Sequence, residues 1–434
     1  MVIVGFLSAL SISLALSTSL LAKTDTTKEQ KPSTESSRLE SLAKFSKVLG
    51  IVEEYNVDSL NADELINKSL QGMLSNLDAH SVYLDKKGYD NLKTQTDGEF
   101  GGLGVTVGMR DNTLTVIAPI EGTPADKAGL KAGDIILKIE DKATLNMTID
   151  EAVSLMRGKP KTPINITVVR KGEGEPLKFK IIRDIIKIDS VYTRTINDEV
   201  LYIRITNFDK KVASEVKKSI KQHASTTKGI ILDMRNNPGG LLDQAIELTD
   251  MFVDSGVIVS QKGRNSSDDI SYSATKSATL TDAPLVVLVN EGSASASEIV
   301  SGALQDLKRG VIVGEKTFGK GSVQVVMPIT NEEAIKLTIA RYYLPSGRTI
   351  QAVGVTPDIE VAAGEIKQHN KSFNIKEADL KDHLQATLDK EEAMLDVNDQ
   401  NASKTIITKE QLQKDIQLKE GVDILKALII IKGD

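Results

Sequence analysis

Between about residues 200 and 310 the sequence alternates short apolar runs with amphipathic ones. GIILDMR (229–235) and APLVVLVN (283–290) have the composition of buried strands, and LLDQAIELTDMFV (241–253) has the period of a helix. Alternation of strands and helices is the pattern of an α/β layer architecture. It predicts an α/β core over residues 186–365.

Composition narrows the class of protein. A chain of 434 residues exceeds the usual size of one hydrophobic core, so two to four modules are expected. A net charge of −6 gives no reason to expect nucleic acid as a partner. The absence of cysteine excludes thiol catalysis and disulfides. The four histidines are scattered and none belongs to an HExxH pair, so neither a metal nor a cofactor is expected.

The composition of the first 23 residues predicts a segment that directs the protein to export or to a membrane. MVIVGFLSALSISLALSTSLLAK carries no charge before Lys23, as in an export signal or a membrane anchor. The usual basic start is missing, and a cut after Ala22 would place Leu20 where a small residue is preferred. Residues 1–22 are therefore either removed or kept as an inner-membrane anchor, and the polar run 23–36 is a linker. The expected location is periplasmic or otherwise outside the cytoplasm.

Three further regions flank or precede the core. Residues 37–99 have helical spacing, and a second helix there is predicted to begin at Asn61, with Glu64 as its cap partner. The pattern of residues 100–185 predicts short strands and one helix, and Thr148 and Glu151 are the expected capping pair at the start of that helix. Residues 366–434 are charged and helical in period, which is more typical of assembly than of chemistry.

The stretch GSASASE (292–298) lies at a strand-to-helix turn, where α/β proteins place reactive groups. Ser295 and Glu298 match an S-x-x-E capping box, which needs no catalysis. Equally, a serine at a helix start has N–H groups nearby that can hold an oxyanion. No GxSxG elbow is present, and a Ser-His-Asp triad has little support.

Two other stretches supply partners for such a serine. In KTFGKGSVQ (316–324), Lys320 stands between two glycines, and burial would lower its pKa toward that of a usable base. From this stretch alone, an exposed lysine at a strand edge is the favoured alternative. In DMRNNPGGLLDQA (233–245), glycine N–H groups can supply an oxyanion donor, or the turn is only a tight connection.

Taken together, NEGSASASEIVSGALQD, GEKTFGKGSVQ, LDMRNNPGGLL and GEFGGLGV resemble the carboxy-terminal processing peptidases, also called tail-specific proteases. The resemblance covers about residues 40–360. It implies that Ser295 is the nucleophile, that Lys320 is its base and that Gln324 orients the lysine. Ser293 and Ser297 would then have capping and packing roles.

The resemblance also implies where the substrate binds. The oxyanion hole would use the N–H of Ala296 and one from Gly239 or Gly240. The β-rich module resembles a PDZ domain, in which a loop captures the peptide carboxylate and the bound tail adds a strand. Arg157 matches a regulatory arginine of the family. The loop residues are Gly101, Gly102, Leu103, Gly104 and Val105.

The expected fold is thus a multidomain α/β protein: a crotonase-like protease core with a PDZ domain and flanking helical segments. The expected function is endoproteolysis of exported proteins near their carboxy termini. Protein substrates held by their tails, a homodimer and an adaptor or activator protein are the implied partners. Two alternatives remain: a catalytically silent periplasmic peptide-binding protein, and a serine hydrolase whose base is His80.

Overall fold

The computed structural model describes residues 35–110, 112–365 and 405–433. The predicted export segment (1–22), nearly all of the predicted linker and the first part of the carboxy-terminal region lie outside these residues. The chain divides at residue 70 into two compact units. No helix within the described ranges is long and apolar enough to cross a membrane.

The elements follow in chain order. The helices are α1 Glu35–Tyr55, α2 Ala62–Ser75, α3 Lys86–Asp97, α4 Pro124–Lys127, α5 Ile149–Met156, α6 Val212–Gln222, α7 Leu242–Asp250, α8 Ala296–Asp306, α9 Lys409–Gln413 and α10 Ile416–Lys432. The strands are β1 Val82–Leu84, β2 Glu99–Gly102, β3 Val105–Arg110, β4 Thr113–Pro119, β5 Ile135–Ile139, β6 Lys142–Ala143, β7 Pro163–Val169, β8 Leu177–Ile182, β9 Asp184–Lys187, β10 Val191–Ile196, β11 Val200–Ile205, β12 Gly229–Asp233, β13 Val257–Lys262, β14 Ile270–Ser273, β15 Leu285–Val289, β16 Val311–Gly314, β17 Ser322–Pro328, β18 Ala334–Tyr343 and β19 Ile359–Glu360.

The amino-terminal unit contains α1 and the start of α2. Both helices occur where the apolar spacing predicted them. The cap of α2 is also confirmed, because the Asn61 side chain accepts a hydrogen bond from the Glu64 N–H at 2.9 Å. Several apolar residues of α1 are exposed, Leu39 and Phe45 among them.

The β-rich module of the second unit is a six-stranded sheet with the order β3-β4-β5-β7-β8, in which β6 pairs with β5. Helix α5 begins at the predicted capping box: the Thr148 N–H donates to Glu151, and the Glu151 N–H donates back to Thr148 Oγ1. The helix packs Ala152 and Met156 into the module's core. A ribbon of β2 and β9 connects the module to the rest of the unit.

The core of the second unit is a sheet with the order β10-β11-β12-β15-β16-β19, parallel from β11 onwards. Every residue of β12 and β15 is buried, as expected of central strands in a sheet covered on both faces. Helices α6, α7 and α8 cover one face. The α/β layer architecture is therefore confirmed.

Helix α10 covers part of the opposite face. Its apolar residues Leu418, Val422 and Leu425 belong to one cluster with sheet residues such as Val286 and Leu288. Composition had suggested assembly as the role of this region. In the structure, its described part is the third layer of the core.

A second sheet of the core, with the order β1-β18-β13-β14, lies beside these layers and has β17 paired to β18. Strand β17 begins directly after the glycine-flanked lysine of KTFGKGSVQ. Because β17 and β18 are antiparallel neighbours, side chains from both strands point into one cavity next to the start of α8.

Replacing a buried residue of α10 tests its place in the core. Leu425→Ala, at a position that is 0% exposed, should lower the free energy of unfolding by about 2–5 kcal/mol, because it leaves a cavity against the sheet. Chemical denaturation of both proteins measures the difference.

Ile431→Ala is the matched control, because Ile431 lies in the same helix but is 81% exposed. It should change the free energy of unfolding by less than about 0.5 kcal/mol. Equal losses in the two variants would contradict the packing of α10 on the sheet.

Candidate active site

A cavity of about 760 Å³ gathers residues that are far apart in sequence. Five of the predicted site residues line it: Ser295, Lys320, Gln324, Gly239 and Gly240. Ala296 is buried beside Ser295 at the start of α8. Apolar side chains form much of the remaining wall, namely Leu92, Ile246, Val323, Val325, Ile339 and Tyr342.

Ser295 occupies a strained turn between β15 and α8. Its φ of 54° and ψ of −110° place a non-glycine residue in a conformation that costs about 1–3 kcal/mol. A GxSxG elbow holds its serine in a similarly strained strand-to-helix turn, and here the turn forms without that motif. The N–H of Ala296 donates to no described residue, so it is available beside the Ser295 hydroxyl.

The two neighbouring serines have structural contacts. Ser293 Oγ donates to the carbonyl of Met234 at 2.8 Å, and Ser297 Oγ donates to the carbonyl of Asn237 at 3.0 Å. Both contacts join the serine run to the turn that carries the glycines. Capping and packing roles, as the resemblance implied, agree with these bonds.

Glu298 connects the serine turn to the lysine loop. Its carboxylate is fully buried and accepts hydrogen bonds from the N–H of Ser295 at 2.8 Å and of Lys320 at 2.8 Å. The same carboxylate accepts from Gly319 N–H and from the Thr317 hydroxyl. The sequence indicated Glu298 only as a cap partner, and nothing in the spacing pointed to its contacts some 20 residues further on.

Lys320 is half-buried in the cavity wall. Burial lowers the pKa of its ammonium group, and the nearby charge of Lys336 lowers it further, whereas Glu298 acts in the opposite direction. The flanking glycine Gly321 allows close packing, since a Cβ there would lie 2.6 Å from the N–H nitrogen of Gln351. The lysine is therefore not the exposed strand-edge residue that the stretch alone favoured.

The glycine turn lies against the serine turn. A Cβ on Gly239 would lie 2.7 Å from the carbonyl oxygen of Ala294 and 2.9 Å from Ser295 Cβ. The N–H of Gly239 donates to Asn237 Oδ1 at 2.9 Å. The N–H of Gly240, in contrast, donates to no described residue.

Arg235, which the sequence analysis did not single out, anchors the start of the glycine turn through two aspartates. Arg235 donates to Asp233 at the end of β12 and, in a bidentate pair, to Asp415 at the start of α10. Gln417 accepts a further bond from Arg235. The Asp415 contact spans 180 positions, which explains why no local pattern indicated it.

The predicted carboxylate loop lies between β2 and β3 of the β-rich module. Gly101 and Gly102 end β2, Leu103 is buried in the module's core, and Val105 begins β3. Within the described chain, β3 pairs only with β4, which leaves its other edge open. The N–H groups of Leu103 and Gly104 donate to no described residue.

Arg157 joins this module to α3. Its Nη1 donates to Asn91 Oδ1 at 3.0 Å, and its guanidinium lies 4.9 Å from the centre of the Phe100 ring. Its Nε is buried with no hydrogen-bond partner in the described structure. Three other residues of α3, namely Leu92, Gln95 and Thr96, line the cavity of Ser295.

His80 lies in the loop after α2 and does not line the cavity. Burial lowers the pKa of its imidazole, and the charge of Lys320 lowers it further. Among the described residues, no group of three or more His, Asp or Glu side chains is arranged to hold a metal ion.

Comparison with known proteins identifies the family. The chain is 41% identical over 396 residues to a carboxy-terminal-processing protease of Bartonella bacilliformis, with 89% of each chain covered. The chain belongs to the carboxy-terminal processing proteases. It is also 34% identical to the carboxy-terminal processing protease CtpA of Bacillus subtilis, covering 73% of this chain and 69% of that relative.

Family models agree with this assignment. The model of peptidase family S41 matches residues 199–361, and a PDZ domain model matches residues 115–170. A third model, the N-terminal domain of the activating protease CtpB, matches residues 5–88. Among solved structures, a photosystem II D1 C-terminal processing protease matches with 26% identity and a TM-score of 0.42, over 74% of this chain and 92% of that one. The matches to the S41 and PDZ family models confirm the protease core with a PDZ domain that the resemblance implied.

The contact between the two turns predicts the effect of a single methyl group. Gly239→Ala should lower kcat of the protease on the order of a hundredfold, because the new Cβ must displace the Ser295 turn. Steady-state cleavage of a peptide substrate measures this loss.

Gly347→Ala is the control. Gly239 and Gly347 both have a positive φ, of 98° and 83°, but no atom of the described structure lies within 4 Å of a Cβ added at Gly347. It should change folding stability through backbone strain and leave kcat close to that of the wild type. A similar loss of kcat in both variants would show that strain, and not contact with Ser295, is responsible.

Proposed function

We propose that this protease is a serine endopeptidase in which Ser295 and Lys320 form a catalytic dyad. The observation that carries the proposal is their placement in one cavity, with the two backbones joined through the Glu298 carboxylate. The lowered pKa of Lys320 supports its role as a base, because only the neutral amine can accept a proton.

In the proposed mechanism, the neutral amine of Lys320 takes the proton from Ser295 Oγ as that oxygen attacks the scissile carbonyl carbon. The negative charge on the resulting tetrahedral intermediate is held by backbone N–H groups. Ala296 supplies one donor, and Gly240 is the better candidate for the second because the N–H of Gly239 already binds Asn237.

The collapse of the intermediate breaks the peptide C–N bond. The ammonium of Lys320 returns its proton to the leaving amine, and the acyl group stays on Ser295. Water then attacks the ester carbonyl while Lys320 accepts a proton from it. As the ester C–O bond breaks, Lys320 gives that proton to Ser295 Oγ, which releases the new carboxy terminus and restores both the serine hydroxyl and the neutral amine. Gln324 orients Lys320 during both steps.

We further infer that the PDZ domain holds the substrate's tail and that exported proteins are the substrates. The open edge of β3 and the free N–H groups of Leu103 and Gly104 suit a strand that ends in a carboxylate. The contact of Arg157 with α3, which also lines the cavity, supports a role for Arg157 in reporting an occupied tail site. Action outside the cytoplasm, a homodimer and an adaptor protein belong to the same proposal.

Removal of either dyad side chain tests the mechanism. Ser295→Ala and Lys320→Ala should each abolish cleavage of an unstructured protein with an apolar carboxy-terminal tail, because neither nucleophile nor base can be replaced. Intact mass spectrometry of the digest detects the tail fragments, and tail-peptide binding should persist in both variants.

Ser301→Ala is the control, because Ser301 lies in α8 and, among the described residues, its hydroxyl bonds only within that helix. It should cleave like the wild type.

Full activity of Lys320→Ala would end the dyad proposal. If the wild type binds the tail without cutting it, the chain is the silent peptide-binding protein or requires an activator. If His80→Gln lowers activity and removes the acid limb of the pH–rate profile, His80 is the base instead, whereas an unchanged profile indicates a structural role.

The acid limb of the pH–rate profile tests whether the charge of Lys336 lowers the pKa of Lys320. Activity should rise with pH as Lys320 loses its proton, and the charge of Lys336 keeps that pKa low. Lys336→Gln should therefore raise the pKa of Lys320 and move the limb to higher pH. Profiles of kcat measured for both proteins give the direction of the shift.

Lys316→Gln is the control. It also removes one positive charge, but from an exposed position in the loop that carries Lys320, outside the cavity lining. It should leave the limb closer to its wild-type position than Lys336→Gln does. A limb that moves to lower pH in Lys336→Gln would contradict the assignment.

A further inference from the structure

The loop that follows α2 contains an acidic group that no part of the proposed mechanism uses. Asp78, in the sequence LDAHS (77–81), accepts hydrogen bonds from the N–H groups of His80 and Ser81 and from the Ser81 hydroxyl. It also accepts one from the Thr338 hydroxyl at 3.1 Å, across 260 positions of sequence. The Ser81 hydroxyl, with these other donors, holds the pKa of the Asp78 carboxyl at about 2.

An ionised carboxylate can only accept hydrogen bonds. The single hydrogen of the Thr338 hydroxyl is therefore committed to Asp78, and the same oxygen can only accept from its next neighbour. That neighbour is Gln324 Nε2, at 3.3 Å. The Ser322 hydroxyl lies 2.8 Å from the same nitrogen.

These contacts determine which way the Gln324 amide points. Its NH₂ group is directed at Thr338 and Ser322, so its carbonyl oxygen is at the other end. No described residue donates a hydrogen bond to that oxygen. Gln324 lines the cavity together with Lys320 and Ser295.

A β-bulge makes the arrangement possible. Strands β17 and β18 pair Val323 with Ala340 and then Gln324 with Thr338, so Ile339 is the extra residue. In regular pairing Gln324 would face Ile339, whose side chain cannot accept a hydrogen bond. The LDAHS loop binds β18 beside the bulge, since the Thr338 N–H donates to Ser81 Oγ at 3.1 Å. Bulges next to active sites commonly re-aim a side chain in this way.

We propose that Asp78 and Thr338 are positioning residues, which set the polarity of the Gln324 amide so that its carbonyl oxygen faces the Lys320 amine. This inference rests on the proposed dyad. A neutral amine has two hydrogens and one lone pair, and the lone pair must point at Ser295 Oγ to take its proton. The carbonyl oxygen of Gln324 binds one hydrogen, whereas a reversed amide would donate to the lone pair and block the transfer.

The variants that test the orientation of the Gln324 amide do not change the other charged groups near Lys320. They come from three elements: Lys336 on β18, Glu298 on α8 and His80 in the loop itself. Changing Thr338 or Asp78 leaves all three side chains intact.

Thr338→Val keeps the shape of the side chain and removes its hydroxyl. It should lower kcat roughly tenfold or more, with KM within about twofold of the wild type, because the Lys320 lone pair is no longer directed. The acid limb should move to lower pH, since a reversed amide stabilises the neutral amine. Asp78→Asn should act in the same direction, because an amide at position 78 can donate to Thr338.

Thr338→Ser keeps the hydroxyl, so kcat of this variant should stay near the wild-type value. Thr249→Val is the folding control, because the Thr249 hydroxyl is buried and bonds within its own helix. Asp254→Asn, at an exposed position outside the cavity lining, controls for the loss of one negative charge.

The outcomes separate this inference from the dyad. If Thr338→Val and Asp78→Asn keep kcat within about twofold while Lys320→Ala is inactive, the inference is wrong and the dyad stands. If Thr338→Ser loses as much activity as Thr338→Val with no shift of the acid limb, Thr338 has only a packing role. If Lys320→Ala is active, the proposed function itself fails.

Discussion

The candidate active site depends on one buried carboxylate. Glu298 binds the N–H of Ser295 with the same oxygen that binds the N–H of Lys320, so the two turns are held to a common atom. A buried carboxylate is stable only when its lone pairs are well satisfied, and here four donors surround it. The cost of the strained φ at Ser295 is offset by this network, because Glu298 holds the turn on one side and Gly239 packs against it on the other.

The layers of the core were predictable because their patterns are local. The all-apolar runs at β12 and β15 indicated strands buried on both faces, and the small residues after β15 indicated a turn into α8. The Thr148–Glu151 box was visible for the same reason, since both partners lie within one helical turn. Ser295 and Lys320 were singled out as candidates by the turns that carry them, and the family resemblance assigned their roles.

The supporting contacts were not predictable, because they join distant segments. The Arg235–Asp415 pair and the Asp78–Thr338 bond join residues that are 180 and 260 positions apart in sequence. Each of these residues alone looks like an ordinary surface charge or hydroxyl. The bulge at Ile339 leaves no mark in a sequence that reads as a regular strand. The packing of α10 was also hidden, since its composition is as charged as that of a helix that binds a partner.

The position of α10 has a consequence for how the protein is made. Residues 405–433 leave the ribosome after every strand of the central sheet, yet they cover one of its faces and supply Asp415 to the loop behind the glycine turn. Until they arrive, the sheet exposes an apolar face, and Arg235 lacks one of its two acidic partners. An incomplete chain would therefore contain every strand of the central sheet but not the helix that covers this face, so the layered core can close only after synthesis has passed α10.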